Sequence, residues 1–152
     1  MTTTQDFRLE QTFAASPKQV LDAVNDVRGW WQPYVVGETD KKGERFTVRF
    51  SEDGEIYVSF RIVELDDHRV EWLVEDSDVP GFEDPKEWNG TTAKFSVHPD
   101  GGKTRLVFEH QGLTPEVQCY NDCSAGWTYY LGESLAKLIT GGKGRPGDRR
   151  EQ

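Results

Sequence analysis

Four residues toward the C-terminal end of the chain could take part in chemistry: His110, Cys119, Cys123 and Tyr130. A histidine changes its charge near neutral pH, so His110 could carry a proton, with Tyr130 as a second proton carrier. No carboxylate partner for His110 can be assigned from the sequence. We therefore assign no catalytic residue and keep His110 as the one candidate. The favoured alternative is a structural histidine bonded to the backbone of the loop that follows it.

The two cysteines are four residues apart, so Cys119 and Cys123 are expected on the same side of a helix. With His110 they would give three soft ligands, the number found in an open zinc site. The spacing is not that of a zinc loop, and no fourth ligand is evident. We predict no metal and two reduced thiols that pack as small apolar groups. Phosphate-binding and dinucleotide-binding patterns are also missing, which predicts no cofactor.

Length and charge restrict the possible partners. A chain of 152 residues predicts one domain, expected at 1–141 with a disordered tail at 142–152. The net charge of −9 disfavours nucleic acid and anionic membranes as partners. No apolar run reaches the roughly 20 residues of a membrane span. The N-terminus has neither the basic nor the apolar region of a secretion signal, which predicts a cytoplasmic protein.

The hydrophobic pattern predicts an α+β domain. Apolar residues alternate in Phe7–Phe13, which is typical of a strand, and Ser16–Gln19 has the residues of a helix start with a capping box. The cluster Trp30–Tyr34 predicts a second short helix or a tight turn. Five further strand patterns follow, at 46–50, 56–62, 70–74, 93–97 and 106–110. The segment Cys119–Ile139 then has apolar residues every three or four positions, as a helix packed on a sheet would.

Several of these segments together match one known family. The matching pieces are Ala15–Val20, the pair Trp30–Trp31, Gly43–Phe46, Thr104–His110, and Gly126–Leu131 with Leu135 and Leu138. In this order they resemble the START-like (SRPBCC) superfamily, and within it the domain named after the activator of heat-shock protein 90 ATPase. The resemblance implies a helix-grip fold, in which a curved antiparallel sheet, here of six strands, wraps around the C-terminal helix. It also implies a cavity for an apolar ligand, but no single activity, because related domains bind lipids or hormones, cyclise polyketides or serve a chaperone.

The side chains expected to face this cavity are mostly aromatic. They are Trp30, Trp31, Phe46, Val48, Phe60, Trp72, Phe95, Phe108, His110, Cys123, Trp127, Tyr130 and Leu131. Gln11, a polar residue on the apolar side of the first strand, is a further candidate anchor. The alternative for the whole set is a dry core, and for the Trp30–Trp31 pair it is packing of the short helices instead of a lid.

We expect a non-enzymatic domain that binds an apolar small molecule, either a lipid or an aromatic compound. One alternative is a cyclase-like or aromatase-like enzyme that uses His110 and Tyr130. Another is a chaperone-related module that binds a protein partner through the outer face of the sheet or the acidic loop Asp76–Asn89.

Overall fold

The computed structural model describes residues 6–32, 34–50, 56–78, 88–114 and 120–144, with the backbone alone at 120–122. Its elements are β1 (Phe7–Phe13), α1 (Pro17–Asn25), α2 (Val27–Trp30), β2 (Val35–Gly37), β3 (Arg45–Arg49), β4 (Tyr57–Leu65), β5 (Arg69–Asp78), β6 (Thr92–Asp100), β7 (Lys103–Gln111), α3 (Tyr120–Tyr129), a π-helical turn (Tyr130–Leu135) and α4 (Ala136–Gly141). The predicted α+β class is confirmed. The predicted tail falls largely on residues 145–152, which lie outside the described residues.

The strands form one antiparallel sheet in the order β1-β7-β6-β5-β4-β3-β2. It has seven strands, so the prediction of six was one strand short. The missed strand is β2, whose three residues are too few to show an alternating pattern. Val35 of β2 lies opposite Val48 of β3 and is buried. Because β1 and β2 are the two edges, the sheet remains open.

Arg28 protects the β2 edge. Its Nη2 donates hydrogen bonds to the carbonyl oxygens of Val35, at 2.7 Å, and Gly37, at 3.2 Å. Unpaired backbone groups on an edge strand can otherwise pair with another chain. The short helices therefore shield one edge of the sheet as well as covering part of its face.

The start of α1 confirms the predicted capping box. Ser16 Oγ accepts a hydrogen bond from the backbone N–H of Gln19, and Gln19 Oε1 accepts one from the backbone N–H of Ser16. Pro17 occupies the first turn, where its missing N–H costs nothing. The second helix begins at Val27, earlier than the aromatic cluster where a helix or turn was expected.

The apolar alternation of the strands places one side of the sheet in the core. On β4, for example, Val58, Phe60 and Ile62 are buried while Arg61 between them is exposed. The C-terminal helical segment covers this inner face and runs from Tyr120 to Gly141, close to its predicted bounds. Within the described residues, no helix combines the length and apolar content that crossing a membrane requires.

Two glycines with positive φ give a matched test of the β2 edge. Gly37 has φ 110°, and a Cβ placed there would meet the carbonyl oxygen of Arg45. Gly43 has φ 88°, and a Cβ there would meet nothing within 4 Å. We expect Gly43→Ala to cost about 1–2 kcal/mol of unfolding free energy from backbone strain alone. Gly37→Ala should cost more, because β2 must also move away from β3. Urea unfolding of both variants measures the difference, and equal losses would contradict this description.

Candidate functional site

All five tryptophans of the chain belong to one network of ring contacts. Trp31 is its centre, with ring centroids 5.7 Å from Trp30, 6.4 Å from Trp72 and 4.8 Å from Trp127. Trp127 extends the network to Trp88, whose ring is nearly parallel to it at a centroid distance of 6.0 Å. Large rings in mutual contact contribute more to packing than their buried area alone.

The structure brings together most of the residues predicted to line a cavity, and it buries them deeply. Twelve of the thirteen are buried: Trp30, Trp31, Phe46, Val48, Phe60, Trp72, Phe95, Phe108, His110, Trp127, Tyr130 and Leu131. Cys123 is partly buried against them. Around Trp72 the rings of Phe46, Phe60 and Phe95 approach to centroid distances of 5.1, 5.5 and 4.8 Å. This part of the interior is a densely packed aromatic core.

Some of the buried aromatic side chains retain a small exposed area. Trp31, Tyr130 and Trp88 keep 3%, 7% and 8% of their surface exposed, whereas Trp30 and Trp72 keep none. We call the group Trp31, Trp88, Trp127 and Tyr130 the aromatic corner. It joins the end of α2, the start of β6 and the C-terminal helical segment.

Two polar side chains, Gln32 and Tyr130, meet at the aromatic corner. Gln32 Nε2 donates a hydrogen bond of 3.1 Å to the hydroxyl of Tyr130, and both residues are buried. Gln32 was not among the predicted site residues. A single glutamine between a tryptophan and a proline has no pattern that reveals burial, and its partner lies 98 residues away.

His110 is fully buried at the floor of the aromatic corner, and both of its ring nitrogens are hydrogen-bonded. Trp127 Nε1 donates to Nδ1 at 3.0 Å, so the ring proton is assigned to Nε2, which donates to Thr91 Oγ1 at 2.8 Å. Thr91 in turn donates to the carbonyl oxygen of Trp88 at 2.7 Å. Burial lowers the pKa of His110 from 6.5 to about 3, because it penalises the charged form.

This geometry favours a structural role for His110. Its two nitrogens hold the helix residue Trp127 and the turn before β6, so neither is open to a reacting group. The sequence-based alternative expected the His110 ring to bond to the backbone of the following loop. In the structure, the ring bonds to the side chains of Thr91 and Trp127. That loop instead uses the main chain of His110, whose carbonyl accepts from the Leu113 amide at 3.0 Å.

Cys123 is disulfide-bonded, which contradicts the prediction of a reduced thiol at this position. The prediction was inferred from the expected cellular compartment, which does not determine the state of an individual thiol. Cys119 lies outside the described residues. In the part of the chain that is described, no group of three or more His, Cys, Asp and Glu residues is arranged to hold a metal ion.

The polar residue Gln11 also has a structural partner. Its Nε2 donates a hydrogen bond of 3.1 Å to the carbonyl oxygen of Leu131, in the π-helical turn of the C-terminal segment. The side chain predicted as a ligand anchor therefore ties the edge strand β1 to that turn.

A groove of about 640 Å³ lies outside the core, between α1 and the turn from β4 to β5. Several charged groups on its rim are paired with one another or with the backbone. Lys18 and Asp22 form an ion pair at 2.7 Å, and Asp66 accepts hydrogen bonds from the backbone amides of His68 and Arg69, which lower the pKa of its carboxyl. The groove is remote from the aromatic corner and lacks its ring network.

The buried neutral His110 predicts a specific pH dependence. Unfolded histidine binds a proton below about pH 6.5, while the folded one does so only near pH 3, so acid favours unfolding. The stabilisation is complete above pH 6.5 and is lost as the pH falls toward 3. Relative to His110→Gln, the wild-type unfolding free energy should fall by up to about 1.4 kcal/mol per pH unit in this window. Urea unfolding from pH 7 to 4 measures the slope. His98→Gln, a change at an exposed histidine, is the control for the loss of an imidazole. If the unfolding free energies of wild type and His110→Gln run parallel against pH, His110 is not a buried neutral histidine.

Comparisons with known proteins agree with this fold. A search of curated proteins finds none that matches the sequence. Among solved structures, the chain is similar to the Aha1 dimer from Colwellia psychrerythraea, at 21% identity and a TM-score of 0.74, covering 91% of this chain and 98% of that one. It is also similar to protein MLL2253 from Mesorhizobium loti, at 14% identity and 0.69, covering 89% and 96%. CalU16 from Micromonospora echinospora follows at 19% identity and 0.65, covering 91% and 76%.

At these identities the structural matches establish the fold, which is the predicted helix grip. The family is established by the sequence itself. Residues 14–140 match the family model described as activator of Hsp90 ATPase homolog 1-like protein. The chain therefore belongs to the family of activator of Hsp90 ATPase homolog 1-like proteins, within the START-like superfamily.

Proposed function

We propose that this protein binds an apolar aromatic small molecule at the aromatic corner, without catalysing a reaction. The observation that carries the proposal is the buried, hydrogen-bonded pair of Gln32 and Tyr130, which lie one residue after Trp31 and three residues after Trp127 in the chain. Binding sites for small molecules are mostly apolar and have a few polar groups that fix orientation. The family and fold fit either ligand binding or cyclase-like chemistry, so the choice between them depends on the site.

The surroundings of the pair define the class of ligand. The rings of Trp31 and Trp127 meet at 44° with centroids 4.8 Å apart, and that of Trp88 lies nearly parallel to Trp127, at 11°. Flat aromatic ligands can pack against such rings in offset or edge-to-face geometry. An amide and a phenol each donate and accept, so a ligand hydroxyl or carbonyl could enter the hydrogen bond between them. We therefore expect a polycyclic aromatic compound that carries one oxygen.

Binding is favoured over cyclase-like catalysis because His110, the candidate proton carrier, is committed to protein contacts at both nitrogens. Its low pKa keeps it neutral at physiological pH, and burial separates it from solvent. The alternative of a protein partner has no comparable support. Asp76 of the acidic segment accepts a hydrogen bond from Tyr57 at 2.7 Å, and Glu83 and Asp84 lie outside the described residues.

The expected affinity is modest. A ligand that buries about 300 Å² of apolar surface gains about 7 kcal/mol, at about 25 cal/mol per Å². Association costs several kcal/mol, so the dissociation constant should be micromolar or weaker. Titrations should therefore raise the protein to roughly the millimolar range against a fixed, low concentration of the ligand.

Phenanthrol and phenanthrene test the proposal, because they share their rings and differ by one hydroxyl. Calorimetry and displacement of fluorescent phenylnaphthylamine should show that the wild-type protein binds both and prefers phenanthrol. In Tyr130→Phe, the affinity for phenanthrol should fall about 5–10-fold with the loss of one hydrogen bond, and that for phenanthrene much less.

Tyr34→Phe is the matched control, since Tyr34 is 48% exposed and lies outside the aromatic corner. It should leave both affinities at their wild-type values. Failure of the wild-type protein to bind either compound would overturn the proposal. Binding of palmitate without either aromatic compound would reassign the site to aliphatic lipids and contradict the ligand class.

A further inference from the structure

We infer that the π-helical turn Tyr130–Leu135 positions Tyr130 for the ligand, and that Gln11 is the residue that holds this turn in place. The inference rests on the proposed function, because it concerns how the phenol of the aromatic corner is aimed. Gln11 does not itself belong to the corner. It lies on the edge strand β1 and acts through the backbone of the turn, at the Leu131 carbonyl.

The turn interrupts an otherwise regular helical segment. Residues Tyr120–Tyr129 and Ala136–Gly141 are α-helical on either side of it. A π-helical hydrogen bond spans five residues instead of four, so each turn contains more residues and each residue rotates less about the axis. Such turns are uncommon and often occur at functional sites. Here the turn begins at Tyr130 itself, which makes the direction of this side chain dependent on the local winding.

The winding matches the spacing of the buried residues. Trp127, Leu131 and Leu135 are buried at steps of four residues, and Tyr130 and Ser134 repeat that step. On an α-helix, four residues advance about 40° beyond a full turn, so such a stripe would drift off the sheet. Over a π-helical turn, four residues fall short of a full turn and the drift is reversed. The turn thus keeps Leu135 on the core while Trp127 and Tyr130 face the aromatic corner.

Hydrogen bonds between this turn and residues outside the helix hold it in place. Gln11 Nε2 donates to the Leu131 carbonyl at 3.1 Å, and Ser134 Oγ donates to the Trp30 carbonyl at 2.6 Å. Gln32 Nε2 donates to the Tyr130 hydroxyl at 3.1 Å. They connect the turn to β1 through Gln11, to α2 through Trp30, and to Gln32, which follows α2. The bond from Gln11 acts on the backbone of the turn, and Gln11 lies outside the aromatic corner.

Gln11→Met tests this role, because methionine has nearly the same length and shape but no N–H to donate. The matched control is Gln111→Met, which makes the same chemical change at an exposed site on β7. The first readout is amide hydrogen exchange, which needs no ligand. Loss of one hydrogen bond should speed exchange in residues 130–136 about 5–10-fold in Gln11→Met. Exchange in Gln111→Met should keep its wild-type rates.

The second readout separates positioning from stability. The ratio of phenanthrol to phenanthrene affinity should fall in Gln11→Met to the value of Tyr130→Phe. The double variant should show no further fall, because both changes remove the same interaction. A purely structural role would weaken the binding of both compounds equally and leave the ratio unchanged. If Gln11→Met fails to fold, Ser134→Ala replaces it, because it removes the hydrogen bond from the turn to the Trp30 carbonyl. The ratio of phenanthrol to phenanthrene affinity should then fall to the same value.

The outcomes distinguish this inference from the proposed function. An unchanged ratio in a Gln11→Met protein whose exchange is faster overturns the inference and leaves the proposed function standing. Unchanged exchange overturns the claim that Gln11 holds the turn. A wild-type protein that binds neither compound overturns the proposed function and, with it, the role of Tyr130 that the turn would serve.

Discussion

The contact of Trp127 with the sheet is the interaction on which the rest of the structure depends. Its ring centroid lies 4.5 Å from that of Phe108 on β7 and 4.8 Å from that of Trp31 after α2. Its single N–H donates to His110, which fixes the orientation of the ring as well as its depth. One side chain thereby sets how the C-terminal helix lies on the sheet, and Tyr130, one turn later, is placed with it.

This contact explains why the interior contains a histidine that remains neutral. A buried ring nitrogen without a partner would cost about 1–3 kcal/mol, and a buried charge considerably more. His110 avoids both costs by accepting from Trp127 and donating to Thr91. These hydrogen bonds join the helix, β7 and the turn before β6, and they occupy both nitrogens of the imidazole. Stability and proton transfer therefore make opposite demands on this residue, and the hydrogen bonds satisfy the first.

The sequence was informative wherever the determining interaction is local. Alternation predicted β1, and the residues from Ser16 to Gln19 predicted the capped start of α1, because these signals lie within a few neighbouring residues. The strand β2 was missed because three residues are too few to show alternation, and the π-helical turn because the four-residue spacing of its buried residues also fits an α-helix. Gln11 illustrates the limit: its polarity on an apolar face was visible, but its partner is the backbone of Leu131, 120 residues later. No spacing rule could have shown that its role is to hold a helix.

The interior consists of two parts that differ in polarity. Around Trp72 it is closed by ring faces, and among the described residues the Trp72 Nε1 has no hydrogen-bond acceptor. Ring faces accept hydrogen bonds only weakly, so this part contributes packing and offers a ligand little.

At the aromatic corner, the hydrogen-bonded pair of Gln32 and Tyr130 adds polar groups to the interior. Phe108 and Trp127 belong to the segments through which the sequence resembles its family, whereas Gln32 belongs to none of them. Tyr130 also belongs to those segments, so the polar pair joins one residue of the family pattern to one outside it. Membership of the family alone therefore does not specify a ligand.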